Sequence, residues 1–353
     1  MTSSQLLDAL DRLRGTGVEF EGFLANHGPM GAEALVSVGA ADQAPAWTTR
    51  YRHARALEPA PAPDKPFAGD EWREATGDVR LVSRWVATLR RDLAEAHWRD
   101  VLATWWPRLL PGLAASATHG LIRTAHAVRS LAAAGDDPHP LLVDELAHGL
   151  AFWGARYQPL PGDPTLSGPY DVRTALARLP RSPADEPVSG AGISGVLGRL
   201  TRVSGFGPAL DAYRAPADPD QALDELITAA AHVLWSHPDH PIRFCHAVTA
   251  PAAIRLVLPH LPPAYHRPAI ARAWQVMAGI IAAASPDPAA DGLSAEVPAS
   301  APAPATVLGR AVAHGDEHVV KLAEAALREH ARTGEPVLLH AANAFVDRVS
   351  PLW

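Results

Sequence analysis

Proline punctuates this chain more than any other residue. The 353 residues carry 34 prolines, and most of them fall between segments whose apolar positions recur every three or four residues. Residues 3–14 place Leu6, Leu7, Leu10 and Leu13 on one helical face behind Ser3 or Ser4 as N-cap. Helical spacing returns at 78–96, 97–113, 116–134, 141–157, 220–236, 241–258, 263–284, 306–332 and 335–347. Residues 18–40 read as two short helices meeting at Asn26-His27-Gly28-Pro29, where Gly28 releases the first and Pro29 starts the second. No apolar-polar alternation runs long enough for a sheet, and no repeat of solenoid length occurs. The expectation is a single all-α domain over 1–353. Its mobile, Pro/Ala-rich loops are expected at 57–70, 159–192 and 285–305.

Charge and composition exclude several classes. With 31 basic and 38 acidic residues the formal charge is −7, which argues against nucleic acid as a partner. No uninterrupted apolar stretch is long enough for a membrane span, and the first residues lack a basic start followed by an apolar run. One cysteine, Cys245, rules out an internal disulfide framework and suits a reducing cytoplasm. Two departures from ordinary usage are more telling. Histidine is abundant at 17, and the basic residues comprise 29 arginines but two lysines, Lys65 and Lys321. A lysine kept in so arginine-rich a chain is a candidate for chemistry arginine cannot do, because lysine can lose its proton and become a nucleophile.

Most motif matches fail in context. Gly190–Gly195 fits G-x-G-x-x-G, but the preceding segment reads as a loop rather than the strand a dinucleotide site requires. Glu145-x-x-His148 is half of a di-iron bundle motif, and no second copy exists, so a structural or surface role is expected. Zincin, P-loop and nucleophile-elbow patterns are absent. On 116–134, His119, Arg123 and His126 share one face and Leu121, Ala125 and Val128 the other. That helix is either solvated along its polar stripe or buried on both sides. His318 and Lys321 share a face of a helix that Asp316 can cap, while His27 and His246 stand as single histidines.

Five phrases in order, NHGPM (26–30), THGLIRTAHAVRSL (118–131), ELAHGLAFWGARYQPL (145–160), HAVTAPAAIRLVLPHL (246–261) and GDEHVVKLAEAAL (315–327), resemble the questin oxidase-like family. The resemblance covers about residues 18 to 347. It implies an all-α fold and an oxidoreductase that uses dioxygen to cleave, or insert oxygen into, a ring of an aromatic polyketide. It also implies non-haem iron (Fe2+) held by four histidines and a carboxylated lysine. Carried over phrase by phrase, the ligands are His27, His119, His246, His318 and Lys321. Family members in fungi tend to have Tyr in place of His126 and His in place of Arg123. These two become the expected catalytic or substrate-handling groups, and Trp153 and Tyr157 the expected walls of the substrate pocket, with Trp105 and Trp106 as further candidates. The family label is linked to NADPH, for which the chain offers no fold-level site.

The residue types suit this chemistry. Imidazole is a good ligand for Fe(II), and a carbamate oxygen imitates a carboxylate ligand. Carbamate formation needs neutral lysine, hence burial of Lys321. Two other readings use the same residues: a zinc-type hydrolase or isomerase on the same His/Lys site, and a non-catalytic helical binding protein with its histidine stripes on the surface.

Overall fold

The computed structural model describes residues 4–183 and 192–353. The all-α expectation holds: among the described residues there are sixteen α-helices and one two-stranded sheet. None of these helices is long and apolar enough to cross a membrane. Within the span read as one domain, the contacts gather into two compact units. Unit 1 comprises residues 1–159, 256–262 and 353; unit 2 comprises 160–255 and 263–352.

Unit 1 begins with α1 (Ser4–Leu13), which buries Leu6, Ala9, Leu10 and Leu13 as its period dictates. The next segment departs from expectation. In place of a first short helix, β1 (Glu19–Phe20) pairs antiparallel with β2 (Leu24–Ala25). Glu21 and Gly22, both at positive φ, make the turn. Then come α2 (Gly28–Ser37), α3 (Ala44–Ala54), α4 (Val82–Glu95), α5 (Trp98–Leu109), α6 (His119–Ala134) and α7 (Pro140–Ala155). Helices α6 and α7 approach so closely that side chains at the contact would collide. A Cβ on Gly120 would lie 2.6 Å from the Trp153 Cα, and one on Gly149 would lie 2.8 Å from the Thr124 nitrogen. Helix α6 is therefore buried on both faces, and its polar stripe is interior.

Unit 2 contains α8 (Val172–Ala177), α9 (Gly192–Gly198), α10 (Phe206–Ala209), α11 (Pro219–Ser236), α12 (Pro241–Val257), α13 (His266–Ala284), α14 (Pro304–His314), α15 (Glu317–Thr333) and α16 (Pro336–Arg348). Helix α13 is buried almost all round, which its run of alanine and isoleucine permits.

The three expected loops carry more structure than their composition suggested. Residues 57–66, whose prolines predict a stiff linker, join no two domains. They form a strap inside unit 1, held where Gly17 N–H donates to the Glu58 carbonyl at 2.8 Å and Ala60 N–H to the Gly15 carbonyl at 2.7 Å. Within 159–192, Asp171 caps α8, and Tyr170 and Ser167 bridge to Tyr213 and Arg214. In 285–305 a single turn at Pro288–Asp291 buries Asp291 completely. Asp291 takes hydrogen bonds from Arg181 (2.7 Å), Ser285 (2.6 Å) and His237 (3.2 Å). Such charged clamps outweigh the low intrinsic order of Pro/Ala-rich sequence. Of the glycine-rich match, Gly190 and Ala191 lie outside the described residues, as do 184–189, and Gly192–Gly195 open α9.

Candidate metal centre

In unit 1 the structure brings His27 and His119 together, with ring centroids 4.4 Å apart and both side chains buried. Neither is held by regular helix interior. His27 immediately precedes α2, and its backbone N–H donates to the Tyr51 hydroxyl at 2.7 Å. The buried Asn26 side chain donates to Thr16 Oγ1 and the Gly17 carbonyl, and its Oδ1 accepts from Gly28 N–H. Hydrogen bonds on both sides thus fix the peptide that carries His27.

His119 is the first residue of α6 and follows a strained turn. Ser116, Ala117 and Thr118 all sit at positive φ (46°, 56° and 72°) with no glycine among them. Each such residue costs about 1 kcal/mol or more, so the surrounding packing must enforce the turn. Its result is specific. The Ser116 carbonyl is turned back onto the His119 ring and accepts a short hydrogen bond from Nδ1–H. That places the proton on Nδ1 and the lone pair on Nε2.

In unit 2, His246 on α12 and His318 on α15 have ring centroids 5.8 Å apart, and His246 is 1% exposed. Asp316 caps α15 through the His318 N–H at 2.8 Å, so the first turn presents His318 in a fixed direction. Lys321 follows one turn later and is 3% exposed. No carboxylate closes an ion pair with its Nζ among the described residues. Burial pulls the Lys321 amine below the usual lysine range, against the opposing pull of Cys245, Glu317 and Asp316. Burial likewise pushes the Cys245 thiol up to about 12, so it stays a thiol. Asp316, Glu317 and His318 form a group whose ligand atoms lie within 4.8 Å of one another.

The expected catalytic pair is tied up in ion pairs. Arg123 grips Glu145 at both carboxylate oxygens (2.5 and 2.9 Å). His126 Nδ1 meets Glu33 Oε2 at 2.5 Å, and Arg129 holds the same carboxylate. Burial pushes the Glu33 carboxyl up, but Arg129 and His126 outweigh it and hold Glu33 below the usual range. The expected aromatic walls lie as follows. Trp153 is core: its Nε1 donates to the Gly112 carbonyl at 3.1 Å and its ring meets Trp106 edge-on. Its side chain is fully buried. Trp105 joins Trp72 and Trp85 in a T-shaped cluster, and Tyr157 covers Gly112 at the edge of a surface depression beside Trp72 and Arg108.

Sequence reasoning missed Ser116, Tyr51 and Glu33. Asn26 was within reach, because Asn a few residues before a helix-starting proline, here Pro29, is a turn signal. Glu145 and His148, read as structural, are both in charged networks: Arg90 bridges Asp144 and His148, and burial with Arg123 nearby holds the His148 ring down to about 3.

No protein-family model matches the chain, and a search among curated proteins returns no match. In unit 1 close-set buried imidazoles, one with its tautomer fixed by a backbone carbonyl, and in unit 2 a buried lysine of weakened basicity beside two histidines, each suit a divalent transition metal.

Proposed function

We propose that the protein is a metal-dependent oxygenase of the questin oxidase-like type, acting on an aromatic polyketide ring with dioxygen. In this reading His27 and His119 in unit 1, and His246, His318 and Lys321 in unit 2, are iron ligands. The observation that carries it is Lys321, a buried lysine in a chain with 29 arginines and one other lysine, one turn from His318, whose ring meets that of the buried His246. Iron in such a donor set, when bound, supplies dioxygen activation for oxidative ring cleavage or oxygen insertion.

The chain's own residues have separable tasks. Lys321 Nζ, as neutral amine, adds to the carbon of carbon dioxide, loses one proton and becomes a carbamate with an anionic oxygen ligand. Ser116 holds the proton on His119 Nδ1, so Nε2 is the ligand atom. The cap at Asp316 aims the first turn of α15. Arg123 and His126, each braced by a glutamate, are groups for a substrate phenolate. NADPH is left to prior reduction of the substrate by another protein. A reducing cytoplasm fits the lone buried thiol.

Metal analysis of chain purified without chelator, together with dioxygen consumption, tests this reading. Iron in the purified chain is expected, and Lys321→Arg should lose both metal and activity. His27→Ala and His246→Ala should each lower the metal content. Zinc without dioxygen consumption means a hydrolase or isomerase, and no metal means a binding protein.

A further inference from the structure

Unit 1 contains a cavity of about 430 Å3 that no sequence motif announces. Its volume is that of a small-molecule site, for which about 300–1,000 Å3 is usual. The side walls are apolar: Leu10 and Leu13 from α1, Val82 and Val86 from α4, and Leu141 from α7. The strap lies across it at 60–64. Its polar end is charged, with the Arg90–Asp144 and Arg123–Glu145 pairs and His148.

Arg123 is the distinctive group there. It is 4% exposed, and Nε and Nη2 are both spent on Glu145. Nη1 is buried and has no hydrogen-bond partner among the described residues. A buried charged donor left without an acceptor is costly, and a ligand oxygen in the cavity would relieve it. Position supports the same role. Arg123 lies one helical turn beyond His119 on α6, and Pro29, two residues after His27, is part of the wall. The cavity thus reaches both segments that carry the imidazoles of unit 1.

We propose that this cavity is the substrate pocket, taking a planar fused-ring aromatic between the α1 and α4 walls, with a phenolic or quinone oxygen accepting from Arg123 Nη1. The inference deepens the oxygenase reading and takes its substrate class from it. It moves the pocket wall from Trp153 and Tyr157 to aliphatic side chains. Arg123 acts as the group that orients the ring, and Glu145 positions Arg123.

Binding of 1,8-dihydroxyanthraquinone to the full chain, measured without dioxygen, provides the test. Ala87→Phe fills the cavity from a half-buried position on its wall and should weaken binding by about tenfold or more. Unchanged affinity in that variant, or no binding to the unmodified chain, overturns the proposal. A second comparison isolates Arg123. The unmodified chain should prefer 2-naphthol over naphthalene by about tenfold, and Arg123→Met should erase that preference. The double variant Arg123→Met/Glu145→Gln, which leaves no unpaired carboxylate, serves if the methionine variant alone does not fold. A preference that survives in the folded variant overturns the role of Arg123. Metal content of the same samples separates the two readings: Ala87→Phe should lose the probe and keep its iron. A metal-free chain that meets every binding criterion keeps the pocket and loses the oxygenase.

Discussion

The two units present their imidazoles in opposite ways. In unit 1 the backbone around His27 and His119 is irregular, fixed by Asn26, Tyr51 and the strained 116–118 turn. In unit 2, His246 and His318 ride on helices, one within α12 and one in the capped first turn of α15. The first arrangement stores strain to aim a carbonyl at a ring nitrogen. The second gets its geometry from helical period and a cap. Precision bought with irregular backbone depends on many weak neighbours, whereas precision from a helix depends on one cap and the helix itself.

The largest expected effect probes the helical side. Lys321→Met should abolish metal binding and yet raise the thermal midpoint of the metal-free chain, because it removes a buried amine at a gain of about 1–3 kcal/mol. A metal-free variant less stable than the parent would mean the amine is a structural partner.

Next in size is a pH response with a contribution from each unit. Burial, with Arg123 close by, holds His148 at about 3, and burial with Arg173 holds His232 at about 4, against 6.5 ordinarily. As pH falls below about 6.5 the unfolded chain takes up these protons before the folded one does, so stability is present above that pH and drains away down toward 3. Urea unfolding between pH 7 and 4 should show that decline, with His148→Gln and His232→Gln each flattening it in part. A decline that neither variant alters would assign it to other groups.

Smaller effects separate cap from strain. Asp316→Ala removes the α15 cap and should cost about 1 kcal/mol and weaken metal retention. Ser116→Gly relieves a left-handed residue while keeping its carbonyl, so stability should change by only a few tenths of a kcal/mol. Equal losses from both would erase the contrast between the two units.

What could be read in advance follows the same division. Helices α6, α7, α11 and α15 were legible because apolar spacing and caps are local signals. The pairing of His318 with Lys321 was legible for that reason. The β1–β2 hairpin was not, since two-residue strands are too short to show a period. The turn at 116–118 was hidden because Ser-Ala-Thr lacks the glycine or asparagine that normally signals left-handed backbone. The packing of Trp153 was not legible, because a helical tryptophan looks alike in sequence whether it faces a cavity or a neighbour. Asp291 was lost in a Pro/Ala-rich run because its partners Arg181 and His237 lie 110 and 54 residues away in sequence.

The strap at 58–64 has a kinetic consequence. Prolines at 59, 61 and 63 deny it amide donors, so it cannot gain stability by zipping onto a neighbouring strand, and its fastening to 15–17 comes down to two backbone hydrogen bonds. A guest that must pass beneath it breaks two bonds rather than unravelling a helix. Deuterium uptake at the Gly17 and Ala60 amides would therefore time the opening of that doorway directly, and a bound guest should slow both in step.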